Sequence, residues 1–427
     1  MQKVKNLFKV FKINIILKIL RNLILYVISL LIPKSKKILI IGGWFGERFA
    51  DNSKYTFLYL SKYAKELGFK KVFYITRSKS LQKELSEKEL NTLNLWSVKS
   101  IWYHFRAYFH IIDQSYKDIN SIFSIRSKRI HLWHGFPLKR VGEIEKYLLN
   151  GTYSDSINPP KESKLAMQSK ILSSNGFWED FYMLGTSELS MKIMSKAFNV
   201  PKEKMFLSGY PRNFNFYAAE PIKFYTEEEE EMVEKIYKYY ESNKLILGYF
   251  PTFRDRTDTN LFGVDNVNHL KDLLDLFENF DIKVITKFHS ADKTSSDEII
   301  SHSALTNLPS HFDIYNFLEY IDILISDYSS IAFDFLLLDK PVIFFPYDLE
   351  YYSTKDRKLI FNYNEFAPGP LVYNIDELKT LIPKLKNNFK VEYKNQYGKQ
   401  ARKLRTKIYS NYENFNVFHF VNEIRNV

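Results

Sequence analysis

The sequence predicts an α/β protein: two doubly wound domains facing a cleft, preceded by a basic amphipathic helix. Three observations predict it. Short apolar runs ending in glycine, proline or polar clusters alternate with helical stretches, as the strands of a parallel sheet do. The alternation occurs in two tandem units of similar size, without sequence repeats or a low-complexity linker. Ahead of both lies a stretch in which Lys3, Lys5, Lys9, Lys12, Lys18, Arg21, Lys34, Lys36 and Lys37 precede the first acid, Glu47. The expected boundaries are 1–36 for the helix, 37–215 and 216–390 for the two domains, and 391–427 for a last helix that crosses back to the first domain.

Composition narrows the function. A chain of 427 residues that is 45% hydrophobic and 17% aromatic fills real cores. It has no cysteine, which excludes disulfides, thiolate zinc sites and cysteine nucleophiles. A net charge of +12 favours anionic partners: nucleic acid, an anionic membrane surface or phosphorylated substrates. No basic–aromatic platform or recognition helix is present, so nucleic acid is not an expected partner.

The N-terminal helix is densest in apolar residues from Ile13 to Ile32. At 100° per residue Asn14, Lys18, Arg21, Asn22 and Ser29 share one side, a pattern suited to lying in a bilayer interface. A spanning helix has the necessary length, but Lys18 and Arg21 would each cost roughly 2.5–3.5 kcal/mol near the bilayer centre. A buried helix of a soluble fold is the third reading. Pro33-Lys34-Ser35-Lys36 offers no signal-peptide cleavage pattern.

In the first unit, Lys37 to Ile41 reads as a strand running into Gly42-Gly43, and Tyr55 to Leu67 as a helix stopped by Gly68. Strands follow at Lys71–Ile75, His110–Ile112, Arg129–Trp133 and Phe181–Leu184; then come a helix at Glu188–Phe198 and a strand at Met205–Leu207. The second unit opens with a capping box, Thr226 before Glu227 to Glu231 with Glu229 at the third helical position. That acidic run reads as a helix start far better than as a metal site. Strands then read at Leu245–Phe250, Lys283–Lys287, Ile323–Ser326 and Pro341–Phe345.

Chemistry-bearing residues gather at the strand ends. His131-Leu132-Trp133-His134-Gly135-Phe136-Pro137 places a histidine where a strand becomes a loop, the position at which open α/β sheets handle ligands. An imidazole there suits a general base, and packing is its bland alternative. Asp327-Tyr328-Ser329-Ser330 ends one strand of the second unit and opens a helix, so the serines could hold a phosphate or simply cap the helix. Lys287 and His289, two apart, end another strand, and Thr252 with Arg254 ends a third. Together they predict a diphosphate site. There is no Asp-x-Asp, no P-loop and no dinucleotide fingerprint, so transfer without a metal or other cofactor is expected.

These motifs, in this order, resemble the CDP-glycerol glycerophosphotransferases, which include teichoic acid primases and polymerases and related capsule enzymes. The matching pieces are Gly46 to Lys54, Trp133-His134-Gly135 with Pro137-Leu138-Lys139, Gly209 to Asn213, Pro251 to Asp255, and Lys287-Phe288-His289. They continue through Asp327 to Ser330 with Phe333-Asp334, Lys340-Pro341, Tyr347-Asp348 and Glu365 to Pro370. The resemblance implies a GT-B-like pair of Rossmann domains on the cytoplasmic face of the membrane, held peripherally. It implies transfer of glycerol phosphate from CDP-glycerol to a lipid-linked or polymeric acceptor, with release of CMP. A CDP-ribitol donor, or a sugar nucleotide used by a glycosyltransferase of the same fold, is the alternative. His134 would match the base, and His289 the group contacting the donor phosphates. Thr252, Arg254, Lys287, Asp327, Ser329 and Ser330 would form the donor site, with Asp327 orienting the turn instead as a second option. Asp51, Asn52, Gly135, Arg212 and Asn213 would line the acceptor side. Departures from the family pattern fall at Phe214, Ser290, Lys358 and Asn362; they bear on the substrate more than on the chemistry.

Overall fold

The computed structural model describes residues 2–144, 181–252, 254, 260–264, 266–288 and 301–426, with the backbone alone for 2–15 and 19. Its frame is two parallel sheets. The first runs in the order β3-β2-β1-β4-β5-β6-β7, with β1 Ser35–Gly42, β2 Lys71–Thr76, β3 Thr92–Asn94, β4 Ala107–Ile112, β5 Lys128–His131, β6 Tyr182–Gly185 and β7 Met205–Leu207. The second runs β10-β9-β8-β11-β12, with β8 Leu245–Tyr249, β9 Ile282–Thr286, β10 Leu305–Asn307, β11 Ile323–Ser326 and β12 Val342–Phe344. Every pairing is parallel, and the strands are buried on both faces, which is why they read as continuous apolar runs.

In each sheet the strand order reverses once, between β1 and β4 and between β8 and β11. Ligands of open α/β sheets bind outside the carboxyl ends of the strands at such reversals. The residues that follow β5, β8, β9 and β11 are among those singled out from the sequence.

The helices cover both faces: α1 Gln2–Leu31, α2 Asp51–Lys62, α3 Lys79–Glu87, α4 Val98–Arg106, α5 Glu188–Phe198, α6 Glu227–Glu241, α7 Val267–Asn279, α8 Ile331–Phe335, α9 Ile375–Leu385, α10 Phe389–Ile408 and α11 Val417–Asn426. The capping box at α6 is present: Thr226 Oγ1 accepts from Glu229 N–H at 3.4 Å, and Glu229 Oε2 accepts from Thr226 N–H at 3.0 Å. α10 starts on the second domain, where Tyr393 donates to the Pro368 carbonyl. It ends on the first, where the Ile408 carbonyl accepts from Thr186 Oγ1 at 2.8 Å, and α11 packs on α2 and β7.

Several elements differ from the sequence reading. α2 begins at Asp51 rather than Tyr55, because its first turn buries polar residues, Asp51, Asn52 and Ser53 within the first domain and Lys54 against the second, leaving no apolar periodicity to see. The edge strands β3 and β10 have three residues each, too short for a periodic signal.

α1 carries Leu17, Leu20, Leu23, Ile24, Val27 and Leu31 exposed, while Ser29 is buried and its carbonyl accepts from Arg126 at 2.7 Å. Among the described residues, no helix is long and apolar enough to cross a membrane.

Candidate active site

The turn after β5 is held in an uncommon backbone conformation. Trp133 has φ +62° and Gly135 φ +146°, a pair of left-handed positions of order 1–3 kcal/mol each for a residue with a side chain, kept only where the surroundings fix them. The surroundings do so. Asn52 Nδ2 donates to the Trp133 carbonyl at 2.8 Å, and Arg212 Nη1 to the His134 carbonyl at 3.0 Å. The His134 ring stacks on Trp133 with centroids 4.0 Å apart, and its Nδ1 lies 3.4 Å from the Asp113 carbonyl. A proton on Nδ1 donated to that carbonyl leaves Nε2 as the acceptor nitrogen. Burial pushes the imidazole down to about 3; the Asp113 contact opposes this, and Arg212, His131 and Lys139 add to it. His134 is therefore neutral at physiological pH.

Asp113 is itself held by a folded loop. The Asp118 carboxylate accepts N–H groups of Phe45, Gln114 and Ser115 at 2.9, 2.8 and 3.0 Å, with that of Asp113 at 3.2 Å.

Beneath the turn sits Arg212, which is 2% exposed. Its Nη1 also donates to Asp51 Oδ1 at 2.6 Å, and its Nη2 to Asp334 Oδ2 at 2.6 Å. Asp334, fully buried on α8, accepts further from Asn213 Nδ2 at 2.7 Å and from the Tyr315 and Tyr409 hydroxyls at 2.5 Å each. Burial opposes the charge on Arg212, but Asp334 and Asp51 outweigh it and hold the guanidinium above its ordinary value. Asp51, Asn52, Arg212 and Asn213 thus lie in the floor under His134, bound to one another and to Asp334.

On the other side of the seam, Thr252 and Arg254 converge on Asp327. Thr252 donates through its N–H and its hydroxyl, the latter at 2.7 Å, and Arg254 Nη1 at 2.9 Å. Arg254 also grips Asp348 through Nε at 3.0 Å and Nη2 at 3.2 Å, among the rings of Tyr328, Tyr347 and Tyr352. These groups spend their bonds inside the protein.

Ser329 and Ser330 remain half-exposed. Ser330 makes no side-chain capping bond, so its hydroxyl is not consumed by the helix. α8 is only five residues long, so its dipole adds little to anion binding. Cationic charge comes from Lys287, directly after β9. Burial lowers its pKa to about 8, Arg48 lowers it further, and Asp313, Asp51 and Glu229 oppose both. His289 lies outside the described residues.

The two halves touch. A Cβ added to Gly135 would come within 2.7 Å of Ser330 Oγ, so the His134 turn and the serine turn are packed backbone to side chain. Beside them Phe136 crosses the seam to Phe333, Phe361 and Phe366, with centroids 5.5–6.3 Å away. Leu138 to Arg140 pairs with Lys358 to Ile360 through two backbone bonds, of 2.8 and 2.9 Å. Lys54, wholly buried, reaches Asp313 at 2.9 Å and Asn316 at 3.0 Å.

Sequence reasoning missed Asp334 as a hub, along with Asp113, Asp118, Asp313 and Asn316. Asp334 did appear inside a matching motif; the others carried no local signal. A cavity of about 460 Å³ opens along the seam between Arg48, α3 and the start of α6, but its glutamate-rich lining, Glu47, Glu84, Glu87 and Glu227 to Glu229, does not suit a diphosphate. Among the described residues, the acid–histidine trio able to bring three ligand atoms together is Asp275, Glu278 and His302, borne on α7 and just before β10, away from the seam residues above.

Comparisons with known proteins bear on the family and the fold. The teichoic acid poly(glycerol phosphate) polymerase of Bacillus spizizenii is 27% identical over 369 residues, covering 84% of this chain and 86% of that protein. The teichoic acid glycerol-phosphate primase of Bacillus subtilis is 27% identical over 299 residues, 68% of each. Among solved structures, the wall teichoic acid polymerase TagF superposes with a TM-score of 0.65 at 20% identity, over 100% of this chain and 97% of that one, a likeness of fold. A family profile described as CDP-glycerol:poly(glycerophosphate) glycerophosphotransferase matches residues 24–419. With that span covering nearly all of the sequence, the chain belongs to the CDP-glycerol:poly(glycerophosphate) glycerophosphotransferase family.

Proposed function

We propose that this enzyme moves glycerol phosphate from CDP-glycerol onto a hydroxyl of a lipid-linked or growing teichoic acid-type polymer, releasing CMP without a metal ion. The observation that carries the reading is the contact of the His134 turn with the Ser329–Ser330 turn through Gly135. It brings the turn that carries a neutral imidazole, after β5, against the turn that carries the Ser330 hydroxyl, after β11 at the reversal of the second sheet.

In this reading His134 Nε2 takes the proton of the acceptor hydroxyl as its oxygen attacks the glycerol-bearing phosphorus. The bond from that phosphorus to the CMP oxygen breaks, and CMP leaves with the electron pair. Ser329, Ser330, Lys287 and His289 meet the donor phosphates and offset the charge that builds on the leaving group. Thr252, Arg254 and Asp327 act by shaping the turn that presents the serines. Asp51, Asn52, Arg212 and Asn213 act by holding the His134 turn, and Gly135 by admitting Ser330. An imidazole pushed down to about 3 is by itself a weak base. The negative diphosphate arriving beside Ser330 opposes the Arg212 and Lys139 charges and raises it when it is needed.

The exposed apolar side of α1 suits a peripheral hold on the cytoplasmic face of the membrane, while Lys18 and Arg21, half-buried, leave less charge for an anionic surface than the sequence implies. The donor is tested by offering CDP-glycerol, CDP-ribitol and UDP-sugars with a lipid-linked saccharide and following CMP, CDP and UDP in the presence of EDTA. CMP release from CDP-glycerol that survives the chelator is expected. Turnover restored only by magnesium, or release of UDP, would overturn the reading.

A further inference from the structure

We propose that Arg212 is a positioning residue that makes the orientation of His134 depend on engagement of the second domain through Asp334. One guanidinium joins three things: the His134 carbonyl at 3.0 Å, Asp51 on α2 at 2.6 Å, and Asp334 on α8 of the second domain at 2.6 Å. The Arg212 N–H also donates to Asn52 Oδ1 at 3.3 Å, and Asn52 holds the Trp133 carbonyl. Both carbonyls of the strained turn, at Trp133 and His134, are therefore tied to the segment carrying Arg212.

Asp334 is the other end of the tie. Its Oδ1 accepts from Asn213 and Tyr409, its Oδ2 from Arg212 and Tyr315. Those donors come from the first domain, from the segment just after α10, and from the second domain. α8 follows directly on Ser329 and Ser330, so the carboxylate that steadies the base turn is borne by the element that presents the donor hydroxyls. A turn with Trp133 at φ +62° relaxes unless it is held. If Asp334 withdraws, Arg212 keeps Asp51 alone and the His134 carbonyl loses its fixed donor. The ring then swings, and a misplacement of about 1 Å is enough to cost 10²-fold in rate.

The inference rests on the reading of His134 as the base, and the test separates the two. In the full-length protein, Asp334→Asn keeps the side-chain shape but turns an amide toward groups that all donate. Four quantities are measured: the single-turnover rate of CMP release, CDP-glycerol affinity by calorimetry, melting temperature, and the rate of His134 modification by diethyl pyrocarbonate, located by mass spectrometry. The expected result is a rate about 10–100-fold lower, unchanged donor affinity and faster labelling of His134. In a His134→Ala background the same substitution should cost almost nothing further, because both changes remove one device.

Losses that multiply in the double variant with unaltered labelling would overturn the proposal, as would a loss confined to donor affinity. If Asp334→Asn fails to fold, Tyr315→Phe and Tyr409→Phe, each removing one donor to Asp334, carry the same readouts. If His134→Ala keeps its rate, the base assignment falls, and the labelling still decides the tie.

Discussion

The two domains differ in the titratable groups they bury. The first holds neutral imidazoles beside the Arg212–Asp51 pair: burial pushes His104 and His131 down to about 4 and His134 to about 3, and holds His110 well below the ordinary value. The second is built around ionised pairs, with Arg254 clasped by Asp327 and Asp348. The difference fits the work assigned to each side. A base must be uncharged before it takes a proton. A site for an anion must carry fixed positive charge and rigid dipoles, and with Arg254 paired internally, Lys287 is a cation that can supply that charge.

The largest effect that would break this comparison is at His134. His134→Ala should lower the single-turnover rate by roughly 10²–10⁴-fold, with CDP-glycerol affinity and melting temperature little changed. A stable variant with near-normal rate would remove the base from the first domain.

Next comes the split within the second domain. Arg254→Ala leaves Asp327 buried with its charge unpaired and should cost about 3–5 kcal/mol in denaturant unfolding. Lys287→Ala should leave stability alone and weaken CDP-glycerol binding by roughly 10–100-fold, the range of one charged hydrogen bond. Should Arg254→Ala instead keep its stability and lose only donor binding, Arg254 is a ligand and the internal-pair description fails.

Acid sharpens the contrast further. The buried histidines have folded values below 6.5, so the unfolded chain takes up protons first as pH falls. Stability present above pH 6.5 is then lost towards pH 4, on the order of 3 kcal/mol for His104 alone. Asp118, held up to about 7 by burial in the same domain, gains stability over the same range and opposes the loss. The test is therefore His104→Gln, which should flatten the histidine-driven fall in stability between pH 6.5 and about 4. An unchanged pH profile would contradict the assignment of the imidazoles as an acid-sensitive set.

The smallest effect on chemistry should come from deleting residues 2–31. With a soluble acceptor the rate should hold, while flotation with anionic vesicles should be lost. Vesicle binding by the truncated protein equal to that of the full chain would dismiss the interfacial role of α1.

What the sequence revealed and concealed follows from the range of each interaction. Strands such as Ile323–Ser326 and the helix Glu188–Phe198 are written in local periodicity, and the Thr226–Glu229 cap in a four-residue motif; all appear as read. The His134 turn and the serine turn were legible because strand ends are where ligands are met. Asp334 was not legible as a hub, since its partners Arg212 and Asn213 lie 122 and 121 residues away. Lys54 and Asp313 are separated by 259. Arg254 looked like a ligand because a guanidinium near a phosphate site usually is one; only the fold reveals that two carboxylates reach it first.

The spacer between the two turns is a single hydrogen atom. At Gly135 the missing side chain sets how closely the lobes approach, so bulk there works as a shim. Gly135→Ala would press a methyl group against Ser330 and would also strain the backbone at φ +146°, so any side chain here disturbs the gap and the His134 turn together. One hydrogen atom thus keeps the two lobes in register and the turn in shape at the same point.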